Sequence, residues 1–378
     1  RPITTPSGQD FNAAEHLFRL AEDLYSMRNY DEALETYLSC LEKEPMHSRA
    51  LSKVAELYYR KAQFKEGLVY ASRVLENNTY DPEANFIYGI IQSALGNLTL
   101  AEEAFSVAVR SMEYRSAAYV EIAGLYLQRQ DYKNAEVYAI KALDFNRYNI
   151  TAYEFLGIAY RKQNKLIEAE KNLESLLEID PLNHYAHFER FLLNPVPESM
   201  SAFTSAIRNE FPHETYLELA LTYANRGLID EAIRILEQSP EYPIIYYWLA
   251  YLVRMKNPDK SEQYLMQVAE MSPLMVFPFR LETIPVLAWA QEQHPLWKTD
   301  YYLGLIYWKI LRTEKAKEQF EGCGNSPDFA LFYIARGLLF QNNNFGDDIA
   351  GSDFKKALEL DPEAWRTWYY LTAYYQSI

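Results

Sequence analysis

His184 and His187 stand three residues apart, close enough to share one helix face and to offer two imidazoles to a metal ion. No cysteine or carboxylate follows at ligand spacing on that face. Two ligands do not make a site, and a solvated or capping pair is the better reading. His16, His47, His213 and His294 are scattered; His213 and Glu214 fall at a helix start, where polar side chains satisfy free N–H groups. The only cysteines, Cys40 and Cys323, lie far apart among apolar helical residues. They allow no disulfide framework or CxxC site and read as small core residues. Stretches such as EALETYLSCLEKE carry paired carboxylates, but general acid–base work needs such pairs buried and facing each other, and on an exposed helix they are a solvated face. GxSxG, the P-loop, GxGxxG and HExxH are all missing. Three glycosylation sequons, at 77–79, 97–99 and 149–151, are short enough to arise by chance. The expectation is a protein without catalytic residues, cofactor or metal; a helical enzyme would need a buried, convergent set of His, Arg and carboxylates that this sequence does not advertise.

The elements that would position any site come from the bulk composition. The chain has 378 residues, 49% of them hydrophobic, enough for two or three domains or one elongated array. Its net charge is −15, and its basic residues form no run. Nucleic acid and anionic membranes are poor partners for such a surface; a basic or apolar protein segment is a better one. The longest apolar run, YPIIYYWLAYLV at 242–253, is too short to span a bilayer. The opening RPITTPSGQD lacks an initiating Met and an apolar signal core, so residues 1–13 read as a linker or the cut edge of a longer chain. Few cysteines suit a bacterial cytoplasm and a disulfide-poor periplasm equally, which leaves the compartment unassigned.

A period organises the rest. Ala21, Ala55, Gly89, Ala123 and Gly157 are spaced by 34 residues, and 12 residues after each comes another small residue: Ala33, Gly67, Ala101, Ala135 and Ala169. Three residues after the first small position come Leu24, Tyr58, Gln92, Tyr126 and Tyr160, with Gln92 the one polar exception. Leu17, Leu20, Ala21 and Leu24 have helical spacing, and a short turn at Met27–Asn29 leads to a second helix with Ala33, Tyr37 and Cys40 on one face. Antiparallel helices cross closely only where side chains are small, hence Ala or Gly at both crossing points. Pro45 and Pro181 close their units.

This 34-residue helix–turn–helix pattern resembles the tetratricopeptide repeat over residues 14–183, as five units beginning at 14, 48, 82, 116 and 150. The resemblance implies an all-α fold, a right-handed superhelix of paired helices, with the first helix of each unit lining an inner groove through its positions 2, 5, 9 and 12. In this sequence those positions include Glu15, Phe18, Glu22 and Tyr25, then Arg49, Ser52, Glu56 and Tyr59, then Glu83, Phe86, Ile90 and Ser93. Aromatics beside carboxylates offer contact area at low entropic cost and favour a cationic or apolar segment. The expected groove residues are Glu15, Phe18, Glu22, Tyr25, Glu56, Tyr59 and Phe86. The bland alternative packs Phe18 and Tyr59 between units and leaves the glutamates solvated. Family members that grip a chaperone's C-terminal carboxylate use Lys and Asn here; Phe18, Glu22, Ser52, Glu56, Phe86 and Ile90 make this chain unlike them.

Past 183 the register loosens: His184–Leu193 should be the first helix of a partial unit, which ends the regular array expected over 14–193. NPVPE at 194–198 interrupts a unit, so 194–212 is expected as an irregular seam with a shortened helix over Met200–Glu210. Residues 213–378 form a second, degenerate array, with recognisable units at 216–236 and 301–323, an atypical Pro-punctuated segment at 274–296 and a C-terminal capping helix. In LMVFPFRL, Arg280 is the lone charge, expected to have a partner carboxylate or, in a sharper reading, to anchor an acidic ligand. WRTWYYLTAYYQ, with Trp365 and Trp368, reads as a cap or a docking face. Residues 277–336 are also similar to the repeat-bearing C-terminal part of large bacterial proteins that carry an upstream domain of unknown function resembling sugar-processing folds. The leading expectation is a non-catalytic repeat scaffold that binds a protein or peptide through its groove or docks onto another domain of its own chain. The alternative is an accessory module of a bacterial carbohydrate-active protein.

Overall fold

The structure, a computed structural model, describes residues 13–377. The expected linker over 1–13 therefore lies, but for Ala13, outside the described residues. Among these, twenty-two α-helices and no strand are found. The chain divides into two compact units, one of residues 1–210 with Leu221–Leu228, the other of Phe211–Ala220 with 229–378.

Unit 1 runs α1 (Ala14–Ser26), α2 (Tyr30–Lys43), α3 (Ser48–Arg60), α4 (Phe64–Asn77), α5 (Pro82–Ala94), α6 (Leu98–Ala108), α7 (Arg115–Gln128), α8 (Tyr132–Phe145), α9 (Ile150–Lys162), α10 (Leu166–Ile179), α11 (His184–Leu193) and α12 (Pro197–Ala206). Odd and even helices pair as hairpins, and each hairpin packs on the next. The turns inside the first five hairpins end their first helices in the same way. Arg28, Ala62, Gly96, Gln130 and Asn164, each 34 residues after the last, have φ between 52° and 81°. The next N–H then reaches back to the helix: Asn29 to the Leu24 carbonyl, Gln63 to Tyr58, Asn97 to Gln92, Asp131 to Tyr126 and Lys165 to Tyr160, at 2.9–3.0 Å. This left-handed cap satisfies carbonyls that the helix end orphans. Gln92 is also explained: it is buried, and its side-chain oxygen accepts from Asn97 Nδ2 at 2.8 Å inside the turn.

Helix starts repeat as well. His47, Asp81, Asn149 and Asn183 each accept from the backbone N–H three residues on, capping α3, α5, α9 and α11. Position 115 breaks the series. Arg115 stands there, its Nε donating to the Val109 carbonyl at 2.8 Å, and α7 begins one residue early behind Tyr114 with no side-chain cap. The small crossing residues are obligatory where the opposite helix presents an aromatic: a Cβ on Gly89 would stand 2.6 Å from the Phe105 ring. The shortened helix of the seam is α12, starting at Pro197 rather than Met200, because proline's fixed φ suits a first turn.

α13 (Pro212–Ala224) straddles the division; its last turn and the loop to Leu228 belong with unit 1. Unit 2 then holds α14 (Ile229–Leu236), α15 (Pro243–Val253), α16 (Pro258–Glu270), α17 (Thr283–Gln293), α18 (Trp297–Lys309), α19 (Thr313–Gly322), α20 (Ala330–Asn342), α21 (Asp347–Leu360) and α22 (Trp365–Ser377). The Gly–Phe crossing recurs, with Gly337 facing Phe354 and Gly304 facing Phe320. The atypical segment 274–296 is an irregular stretch followed by α17, which packs on α15 and α18. Trp248 Nε1 donates to the buried Thr283 hydroxyl at 3.1 Å and fixes the start of α17.

Candidate functional site

Three expected groove residues, Glu56, Tyr59 and Phe86, meet around one open cavity of about 390 Å³ in unit 1. Its other walls are Lys53 and Arg60 from α3, Glu83, Ile87 and Ile90 from α5, and Tyr114 before α7. The floor is apolar and aromatic: the Phe86 ring lies 5.3 Å from Tyr114 and 5.7 Å from Phe105, and Tyr59 lies 5.6 Å from Phe64. A helical period of 3.6 puts Lys53, Glu56 and Arg60 on one face of α3, and Glu83, Phe86 and Ile90 on one face of α5.

Charges at the rim are paired. Glu56 accepts from Tyr25 Oη at 2.5 Å and from Arg60 at 2.9 Å, while Lys53 Nζ stands 3.5 Å from Glu56 and 3.6 Å from Glu83. Burial pushes the Glu56 carboxyl up, but the bonds from Tyr25 and Arg60 and the Lys53 charge outweigh it and hold it below the usual range. Glu83 goes the other way. Burial raises its carboxyl, and its one cation, Lys53, is shared with Glu56 and does not compensate. Burial likewise raises the Tyr114 hydroxyl, with the charges of Glu83, Glu113, Glu56 and Asp81 adding to it. The cavity thus carries two cations, Lys53 and Arg60, and two carboxylates, Glu56 and Glu83, with the neutral Tyr114 phenol also on its wall.

The remaining expected residues are placed differently. Tyr25 reaches the cavity's edge only through its bond to Glu56. Glu22 accepts from the Tyr37 hydroxyl and lies 3.8 Å from Arg49. Glu15 is exposed, paired with Arg19 at 2.9 Å. Phe18 is 1% exposed, 4.8 Å from the His47 ring and 4.4 Å from the Arg49 guanidinium; it is core and offers a partner no surface. Tyr114 lies outside the groove positions 2, 5, 9 and 12, and only the missing cap at 115 signals it.

Further along the same unit the groove is filled by the chain itself. Arg226 lies against Gly124, where a Cβ would stand 2.6 Å from its guanidinium carbon, and 4.7 Å above the Phe155 ring. Glu121 is 3.9 Å from it. Beside it, Arg161 forms a bidentate pair with Glu189 at 2.6 and 3.0 Å, and Tyr223 Oη donates to Glu189 at 2.8 Å. Gly124 and Arg161 are themselves groove positions, so residues 221–228 occupy the groove of the fourth and fifth repeats.

In unit 2, Arg280 pairs with Glu214 at 3.2 Å and Glu218 at 3.4 Å, the bland outcome of its two readings. Trp365 and Trp368 are 70% and 53% exposed on α22, and Trp368 Nε1 donates to the Pro362 carbonyl. Cys40 and Cys323 are buried and unbonded to each other. Among the described residues, no three His, Cys, Asp or Glu side chains gather as a metal site, and no helix is long and apolar enough to cross a membrane. A shallower hollow of about 410 Å³ lies between α4 and α6, with Glu76 and Glu103 as its charges.

Residues 150–181 match the tetratricopeptide repeat family, and residues 15–127 match the TT21 fifth ARM repeats domain. Residues 150–181 thus carry a tetratricopeptide repeat. Among curated proteins, none matches the sequence. Solved structures of tetratricopeptide-repeat type are similar. One from Parabacteroides merdae is 17% identical, with 64% of this chain and 98% of that one covered and a TM-score of 0.47. PilF of Pseudomonas aeruginosa is 15% identical, with 57% and 96% covered and a TM-score of 0.47. YrrB, described as having an unusual peptide-binding site, is 14% identical, with 62% and 99% covered and a TM-score of 0.38. At these values the likenesses add nothing to what the tetratricopeptide helices already show.

Proposed function

We propose that this chain is a non-catalytic repeat scaffold that binds a protein or peptide segment in the cavity between α3, α5 and the start of α7. The observation that carries the reading is the cavity itself. Its aromatic walls, Tyr59, Phe86 and Tyr114, are half-buried and rigidly packed, yet open to one side, and charged groups of both signs ring them. Interfaces gain most from such aromatic anchors in a pocket with a polar rim. Repeat arrays present extended inner surfaces of this kind. The match of residues 150–181 to the tetratricopeptide repeat supports the same class of role.

A second reading has its own support. Because residues 221–228 already fill the groove of the fourth and fifth repeats, the free part of the groove also suits another segment of the same polypeptide. The carbohydrate-linked alternative draws no support from the residues described.

The test compares capture by the full chain with capture by a Tyr59→Ala, Phe86→Ala double variant, each checked for native helicity. Specific proteins retained by the first and lost by the second are the expected result. Identical retention by both would move the binding surface elsewhere.

A further inference from the structure

We propose that Glu83 and Tyr114 in this cavity form the seat of an arginine side chain from a peptide partner, with an apolar neighbour of that arginine on Phe86 and Ile90. The proposal rests on the groove reading above and names the chemistry of its occupant.

Three observations carry it. First, Glu83 is partly buried beside aromatic rings, and its single cation, Lys53 at 3.6 Å, is also held by Glu56 at 3.5 Å. Glu56 has Tyr25 and Arg60 besides. Of the two carboxylates, Glu83 is the one with hydrogen-bonding capacity to spare. Its raised carboxyl agrees with that shortage. Second, Tyr114 lines the same cavity as Glu83, and burial with the charges of Glu83, Glu113, Glu56 and Asp81 keeps its hydroxyl neutral. A guanidinium beside Glu83 meets the carboxylate that Lys53 shares with Glu56, and a carboxylate there meets repulsion from it.

Third, the protein already seats one guanidinium in its own groove. The Arg226 guanidinium lies over the Phe155 ring at 4.7 Å, with Glu121 3.9 Å away and Gly124 making room. An aromatic face plus a carboxylate from a neighbouring first helix is the same combination that Tyr114 and Glu83 present. Arginine suits it better than lysine, because the planar guanidinium stacks on rings and loses less in leaving water. A cavity of about 390 Å³ is at the small end of ligand sites, with room for one long side chain and its neighbour.

The test uses fluorescein-labelled, end-blocked peptides Ala-Leu-Xaa-Leu-Ala with Xaa as arginine, lysine, citrulline or glutamate, titrated with the full chain by anisotropy at low salt. Citrulline keeps the shape of arginine and removes its charge. The expected order is arginine first, lysine weaker, with citrulline and glutamate at least tenfold weaker than arginine. Glu83→Gln should bring arginine down to the citrulline level and leave citrulline unchanged, while Phe86→Ala weakens all four. Glu318→Gln removes an exposed carboxylate outside the cavity and controls for loss of charge alone; it should bind arginine within about twofold of the native chain. Equal binding of arginine and citrulline, or an arginine preference that survives Glu83→Gln, overturns the inference while the groove reading stands. No binding of any peptide overturns the inference too; if the double variant also retains every captured protein, the groove reading falls with it.

Discussion

The ring of Tyr114 lies 5.3 Å from that of Phe86, although Tyr114 sits in the connection that ends Phe86's own repeat rather than on a groove face. That contact closes one end of the cavity. It exists because α7 starts early, without the side-chain cap that four of its counterparts carry. Tyr114→Ala should therefore open the cavity and cost about 1–2 kcal/mol through lost ring contact and burial. Tyr114→Phe keeps both and should stay within about 0.5 kcal/mol of the native chain. Urea melts followed by circular dichroism measure both; equal losses for the two variants would show that the hydroxyl, not the ring, holds this corner.

The left-handed turn residues give a second prediction. Ala62 has φ 52° and Gly96 has φ 81° at the equivalent position one repeat later. A Cβ on Gly96 meets nothing within 4 Å, so its substitution tests the backbone alone. Left-handed backbone costs an L-residue about 1 kcal/mol. Gly96→Ala should lose about that much, and Ala62→Gly should gain a few tenths to 1 kcal/mol once glycine's extra unfolded-state freedom is offset. A stability gain for Gly96→Ala would contradict the geometry.

Glu189 holds unit 1 together where its own chain fills the groove. It is 1% exposed, accepts two bonds from Arg161 and one from Tyr223. Removing one side of such a pair strands the other charge. Glu189→Ala should cost about 3–5 kcal/mol, far more than Glu15→Ala, whose pair with Arg19 is exposed and screened by water. Chemical denaturation of the two variants under one set of conditions makes the comparison, and similar losses would refute it.

These residues also mark how much was legible beforehand. The 34-residue register could be read because the same contacts recur: small crossing residues at Gly89 and Gly337 meet Phe105 and Phe354, and the large residue three positions on gives its carbonyl to the turn. Gln92 broke the pattern in sequence and keeps it in structure, since its amide is satisfied by Asn97 within the same turn. Groove residues were harder. Phe18 and Phe86 hold the same place in their repeats, yet His47 and Arg49 bury Phe18, whereas Phe86 faces the cavity beside Tyr114. What decides between them is the neighbouring repeat, which a single position does not encode. Arg226 in the groove was invisible for a related reason: it arrives from about a hundred residues beyond Gly124, and no local spacing announces such a contact. Tyr114 left only the absence of a cap as its trace.

Unit 2 supplies a pH dependence. Burial raises the Asp300 carboxyl from the usual 3.8 to about 6, with Gln291 Nε2 donating to it at 3.0 Å. The folded protein thus holds this proton more tightly than the unfolded chain does. Its contribution is fully present below about pH 4 and is lost as pH rises through about 6. At full weight that shift would be worth about 3 kcal/mol; the group is partly exposed, so about 1 kcal/mol is the expected size. Asp300→Asn keeps an oxygen for Gln291 and cannot ionise. It should match the native chain at pH 4 and exceed it by about 1 kcal/mol at pH 7.5, with the gap opening between pH 4 and 6. Thermal melts of both proteins across that range decide the matter. A gap that is constant with pH, or that opens only above 7, would mean that Asp300 is not the group responsible.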